Sequence, residues 1–257
     1  NAYSEIKWRR SMAKRLLVFL FGVIVYLIFL FTVLYGIGCV GNIAVPKSVD
    51  SGAPSSLATS ILINLLLVTI FGIQHSAMAR PAFKKQWLRF IPEPAERSIY
   101  VLFTSMALLL LFWQWRPLPT NVWNFPDGVM NIALTSLFWI GWLCVVVSTF
   151  LINHFDLFGL RQVYLYLRGI EYTPVQFQEP MPYKYVRHPL MLSFLIAFWA
   201  TPQMSIGHFQ FAIGMTLFIF IGIVFEERDL LKAYGDSYAR YRQQVSMIIP
   251  LPKKQKN

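Results

Sequence analysis

Four stretches of this chain are too long and too apolar to be anything but lipid-facing helices or the interior of a very large core. They cover residues 16–40, 57–73, 99–113 and 132–152. With tilt and apolar flanks, each matches a hydrocarbon layer roughly 30 Å thick. Composition decides between the two readings: 56% of the 257 residues are hydrophobic and only 14% are charged. A soluble domain of this length needs more charge to cover its surface, so the chain reads as integral membrane. A fifth apolar region, 190–225, is broken by Pro202 and the polar turn 203–208. At about 1.5 Å per residue its first arm, 190–201, is too short to cross alone. The expected fold is an all-α integral membrane protein, four transmembrane helices followed by a C-terminal helical hairpin, in one domain spanning residues 1–257.

Charge sets the expected orientation. Every Lys and Arg lies outside the apolar segments, and loops on alternate sides collect all of them except Lys47 and Arg116 on one side. The positive-inside rule places that side, and both termini, in the cytoplasm. Topology and attraction to anionic membrane lipids then account for much of the net charge of +11, with no need for nucleic acid. Cys39 and Cys144 both fall inside predicted spans, where they read as small apolar fillers rather than a disulfide or a zinc pair. The first span is too long, and its basic flank too large, for a cleaved signal peptide. No repeat or phosphate-binding glycine loop is present, and the sequence carries no signal for oligomeric state.

The polar chemistry gathers on the predicted cytoplasmic face. His75 lies there in GIQHSAMAR, His154 and Asp156 in NHFDLFGLRQ, Arg187 and His188 at the start of the hairpin, and Glu226 and Glu227 at its finish. Only His208, among four histidines, falls on the other side. A histidine at a helix end is ordinarily an interfacial hydrogen-bonder, and a Glu-Glu-Arg cluster is ordinarily a solvated face. The hairpin changes that, because it must return its two inner ends to one place.

The triplet Arg187-His188-Pro189 has a definite local consequence. Proline disfavours the α region for its predecessor, so His188 should stand outside the helix with Pro189 at its first position. The helix then opens with unpaired N–H groups from Leu190, Met191 and Leu192 and a positive dipole end, which can receive a carboxylate. Arg187 adds a fixed positive charge. Glu226 and Glu227, returning on the second arm, supply acceptors for an ammonium or a ribose. S-adenosyl-L-methionine carries all of these groups, together with a sulfonium that donates methyl.

The same residues resemble the C-terminal signature of the isoprenylcysteine carboxyl methyltransferase and phospholipid methyltransferase type of membrane enzyme. The likeness runs through PMPYKYVRHPLMLS and EERDLLKAYGDSYARYRQQV to IIP. It departs where the family has tyrosine and glycine and this chain has Met191 and Ser193, and where a glycine before Tyr183 is replaced by Met181 or Pro182. The resemblance implies S-adenosyl-L-methionine contacts from Tyr183, Arg187, His188, Pro189, Leu190 and Met191. It implies backbone cover of the adenosyl group from Val175, Gln176, Phe177 and Gln178, and closure by Glu227 and Glu226. The donor would then belong to residues 174–250 and the acceptor to the helices of 1–173.

Upstream, IQHSAMARPAFK and NHFDLFGLRQVYLYLRG resemble the methanethiol S-methyltransferases, in the wider group that includes NnrU-domain proteins. That likeness covers most of the chain. It implies a multi-pass enzyme of the bacterial inner membrane that methylates methanethiol to dimethyl sulfide, with hydrogen sulfide a further acceptor. The nucleophile of such a reaction is a thiolate, so the site needs a base or a nearby cation. His154, His75 and Asp156 are the candidates for the base, with Arg161 to stabilise the anion; spacing does not choose among them. Two other readings remain open at this stage. One is a methyltransferase for isoprenylcysteine or phospholipid; the other is an NnrU-like isomerase holding haem between His75 and His154.

Overall fold

A computed structural model describes residues 2–53, 55–174 and 181–250, with side chains described from residue 11 onward. Among the described residues the α-helices are, in order, α1 Ala2–Gly41, α2 Leu57–Met78, α3 Pro81–Trp87, α4 Glu96–Gln114, α5 Val129–Ile152, α6 His154–Leu157, α7 Leu160–Arg168, α8 Pro189–Trp199, α9 Ile206–Tyr234 and α10 Asp236–Gln244. Two short strands, β1 Asn121–Asn124 and β2 Gln203–Ser205, form an antiparallel pair.

Among the described residues, five segments are long and apolar enough to cross a membrane: Ser11–Gly41, Leu57–Met78, Glu93–Gln114, Val129–Ile152 and Ile206–Tyr234. The protein is therefore a predominantly helical, multi-pass membrane protein in a lipid environment. The expected hairpin is present but unequal. Its first arm, α8, has 11 residues and is short as anticipated, whereas α9, with 29, has the length to cross by itself. This adds a fifth long helix to the four expected. Pro202 interrupts only the link between the arms, and α9 runs unbroken after it.

Packing between helices depends on small residues, as it must where lipid is as apolar as the side chains. A Cβ on Gly141 of α5 would stand 2.8 Å from the backbone nitrogen of Ala197, so α8 lies directly against α5. A Cβ on Gly22 of α1 would meet Val163 of α7 at 2.6 Å. The main core draws Leu67 and Phe71 from α2, Leu111 and Phe112 from α4, Trp142 and Val145 from α5, and Phe211, Met215 and Ile219 from α9.

The two ends of the bundle differ. At one end the β pair joins the α4–α5 connection to the turn of the hairpin, reinforced by backbone bonds from Ile206 to Thr120 and from Gly207 to Leu118. Asn64, fully buried, bonds both the carbonyl and the N–H of Arg116 there, and Ser205 pairs with Asp50. His208 is also buried at this end, its Nε2 2.9 Å from the Phe198 carbonyl. At the other end the start of α4, the finish of α5, α6, α7, the start of α8, the finish of α9 and α10 surround a cavity.

Candidate active site

The cavity has a volume of about 740 Å3, within the range of sites that enclose a small organic ligand. Its walls come from both halves of the chain. Asn153, Asp156, Gln162 and Tyr172 line one part; Tyr183, Arg187, His188 and Glu226 line another.

The second wall is built around a buried ion cluster. His188 precedes α8 at φ −125° and Pro189 occupies its first turn, as the triplet requires. The backbone N–H groups of Arg187 and His188 donate to the carbonyls of Ser246 and Met247 at 2.8 and 3.2 Å, which pins the triplet to the segment after α10. Arg187 Nε and Nη2 each lie 2.7 Å from Glu227 Oε1, and its Nη1 donates to the carbonyls of Arg242 and Val245. His188 Nε2 lies 3.2 Å from the same Glu227 oxygen. The two inner ends of the hairpin thus meet directly, and Glu227 stands behind the cavity wall as the partner of Arg187. Glu226 faces the cavity instead, with Oε2 3.6 Å from His188 Nδ1. Tyr241 donates to the Tyr183 carbonyl at 2.7 Å. Burial, with Glu226 nearby, raises the Tyr183 phenol pKa, and burial beside Glu227 pushes Tyr238 up to about 12. Both phenols therefore stay protonated as donors.

The first wall is organised by Asn153. Its φ of 132° is unusual for a residue with a side chain, and such strain is sustained only when surrounding contacts enforce it. Here Asn153 Oδ1 accepts from the Asp156 N–H, capping α6. Asp156 is engaged on both oxygens: Arg161 Nη1 donates to Oδ1 at 2.8 Å and the Tyr172 hydroxyl to Oδ2 at 3.2 Å. Gln162 Nε2 donates to the Asp156 carbonyl at 3.0 Å, and among the described residues its buried Oε1 has no hydrogen bond.

The remaining expected residues lie away from the void. His154 is buried beside the wall, with Tyr26 Oη 2.7 Å from Nε2 and Thr149 Oγ1 2.9 Å from Nδ1, and its ring stacks on Phe150. Burial lowers its pKa. His75 packs between Phe71 and Phe218, with Tyr100 Oη 2.9 Å from Nε2. Neither histidine lines the cavity among the described residues, and both have protein partners on the ring nitrogens that a haem would require. Arg161 also sits outside the lining, held by Asp156 and by Thr173. Leu190 and Met191 pack against the main core, so they are not cavity side chains. Val175, Gln176, Phe177 and Gln178 lie outside the described residues.

Sequence reasoning passed over Asn153, Gln162, Tyr172 and Arg97, all of which line the cavity. A signal for Gln162 did exist, since α7 is strongly amphipathic and its polar face needs a partner. Nothing local marks Arg97, which reads as one more basic residue before a span.

A helical membrane protein with a polar cavity at one end of its bundle, lined by Arg187, His188 and Glu226 with Glu227 behind them, has the layout of a membrane-embedded enzyme. Comparison with known proteins narrows the class. The chain is 51% identical over 239 residues to the methanethiol S-methyltransferase of Mycobacterium tuberculosis, covering 93% of this chain and 98% of the relative. It is 52% identical over 240 residues to that of Crocosphaera subtropica, covering 93% and 94%. Nurim of Xenopus laevis is 31% identical over 166 residues, covering 61% of this chain and 58% of that protein. The chain belongs to the methanethiol S-methyltransferase family, and is by that membership a methyltransferase enzyme. No family model matches the chain, and no solved structure matches it.

Proposed function

We propose that this protein transfers methyl from S-adenosyl-L-methionine to methanethiol, giving dimethyl sulfide, with hydrogen sulfide as a further acceptor. The observation that carries the reading is the one cavity shared by Tyr183, Arg187, His188 and Glu226 with Asn153, Asp156 and Gln162. The residues fit such a donor. Glu226 offers a half-exposed carboxylate to an ammonium or a ribose, and Gln162 Oε1, without a partner among the described residues, can accept a hydrogen bond from a ligand. When bound, S-adenosyl-L-methionine supplies an electrophilic methyl group on a sulfonium.

The chain's own groups do the rest. Glu227 holds Arg187 and His188 in place, so the hairpin is set before any ligand arrives. Asp156 is the proton acceptor on the cavity wall, oriented by Arg161 and Tyr172. His154 and His75 position that wall, His154 through the Tyr26 and Thr149 bonds beside Asn153 and His75 through Tyr100. Residues 174–250 serve the donor, with Pro189, Leu190 and Met191 contributing backbone and Val175–Gln178 covering the adenosyl group; residues 1–173 serve the acceptor. The distribution of Lys and Arg supports a cytoplasmic side for the cavity and both termini, and the bacterial relatives support the inner membrane as its location. A small apolar thiol can reach the site through the bilayer.

The test is headspace gas chromatography of purified protein mixed with S-adenosyl-L-methionine and methanethiol, beside calorimetry of S-adenosylhomocysteine binding. Protein-dependent dimethyl sulfide is expected. Binding without product would overturn the acceptor, and absence of both would overturn the methyl donor as well.

A further inference from the structure

We infer that Arg97 is the cation that holds the acceptor sulfur as its thiolate, an inference that rests on the reading above. Arg161, Arg187 and Arg97 stand at or beside the cavity, and the first two have protein acceptors on both terminal nitrogens. Arg161 is bound by Asp156 and by Thr173. Arg187 gives Nε and Nη2 to Glu227 and Nη1 to two carbonyls. Arg97 is different. Its Nε donates to the Leu157 carbonyl at 2.6 Å, and its guanidinium lies over the Tyr100 ring at 4.9 Å. Among the described residues its two terminal nitrogens have neither a hydrogen bond nor an ion pair, and the side chain lines the cavity. It is thus fixed at one edge and free at the other.

The surroundings favour a methyl-bearing sulfur there over the donor's carboxylate. Arg97, at the start of α4 and tied to Leu157 of α6, shares the cavity lining with Pro94 before α4 and with Leu151 and Ile152 at the finish of α5, which supply apolar surface. The triplet and the Glu-Glu pair lie on the α8–α9 side. The bond from Nε to Leu157 also places the guanidinium beside the residue that follows Asp156.

The chemistry needs such a group. An alkyl thiol is largely protonated at neutral pH, and only the thiolate attacks. The other acidic and basic side chains that line the cavity do not take this place: Glu93, Glu96, Asp156, Glu171 and Glu226 are carboxyl groups, Lys84 is paired with Glu96 at 3.6 Å, and Arg187 and His188 are held by Glu227. His75 bonds to Tyr100, whose ring lies under the Arg97 guanidinium. An adjacent cation lowers the pKa of an acid by about 1–3 units, which raises the thiolate fraction at neutral pH by about 10–1,000-fold, the proton leaving past Asp156 to solvent. The new S–CH3 bond forms as the sulfonium C–S bond breaks, with that electron pair remaining on the donor's sulfur. No oxidant or reductant is required.

The experiment is the pH profile of kcat at saturating methanethiol and donor, for the full-length wild type, Arg97→Gln and Arg97→Lys. Since kcat reports ionisations in the bound complex, Arg97→Gln should move the acid limb about 1–3 pH units alkaline, and Arg97→Lys should restore part of the shift. Affinity for S-adenosylhomocysteine should not change. An unmoved limb in Arg97→Gln would overturn the inference, as would loss of S-adenosylhomocysteine binding in a folded variant, which would assign Arg97 to the donor. Thiocyanate provides a test without mutation: it should compete with methanethiol and not with S-adenosylhomocysteine, and the opposite pattern refutes the assignment. A wild type that makes no dimethyl sulfide refutes the functional reading itself.

Discussion

Replacing Glu227 by Gln removes the negative charge from a cluster that water barely reaches. The Arg187 and Glu227 side chains are 5% and 10% exposed, and both guanidinium nitrogens that face Glu227 lie 2.7 Å from one oxygen. A buried pair deprived of one partner typically loses about 3–5 kcal/mol, because the surviving charge stays desolvated. Glutamine keeps the shape and one acceptor, and Arg187 retains the Arg242 and Val245 carbonyls, so the lower end applies, about 3 kcal/mol. For a chain of this size that lowers Tm by roughly 6–12 °C. The assay is thermal unfolding in detergent followed by tryptophan fluorescence, for Glu227→Gln, Arg187→Met and the double variant. The double variant should lose less than the sum of the singles, by at least about 1 kcal/mol, since it leaves no lone charge in that pair. Additive losses, or a Glu227→Gln protein as stable as wild type, would refute the view that this pair sets the hairpin.

Two further outcomes follow from geometry at the first wall. Asn153→Gly should be more stable than Asn153→Ala, since both lose the cap on α6, worth about 1 kcal/mol, but glycine also relieves the positive φ; equal stabilities on denaturant unfolding would count against strain at this position. Burial lowers the His154 pKa, so the unfolded chain binds its proton first as pH falls below about 6.5. Stability should therefore decline from that pH down to the folded-state pKa and level off below it. In His154→Gln that part of the decline should vanish from the Tm-against-pH curve, and an unchanged curve would contradict the burial effect.

Much of the architecture was legible because membrane insertion is governed by local properties. Runs of apolar residues and the side on which Lys and Arg collect are readable without tertiary contacts, and so is the break before Pro189. His188 does stand outside α8 with Pro189 in the first turn. The site was legible only in part. Gathering His75, His154, Asp156, Arg187, His188, Glu226 and Glu227 at one end of the bundle was foreseeable from loop alternation. Which of them face the cavity was not, because one end of a helix presents side chains in every direction.

The sequence alone therefore determined a membrane-spanning helical chain, a short arm beginning at Pro189 and a gathering of polar residues at one end, since each depends on hydropathy, charge or backbone restriction within a few residues. Tertiary structure decided that Glu227 joins Arg187 behind the wall while Glu226 faces the void, that His75 and His154 bond to tyrosines, and that Arg97 lines the cavity with its Nε tied to Leu157. Those outcomes depend on helix rotation and on partners distant in the chain, and the bonding of a polar group in a low-dielectric interior is settled by whichever partner the packing brings within reach.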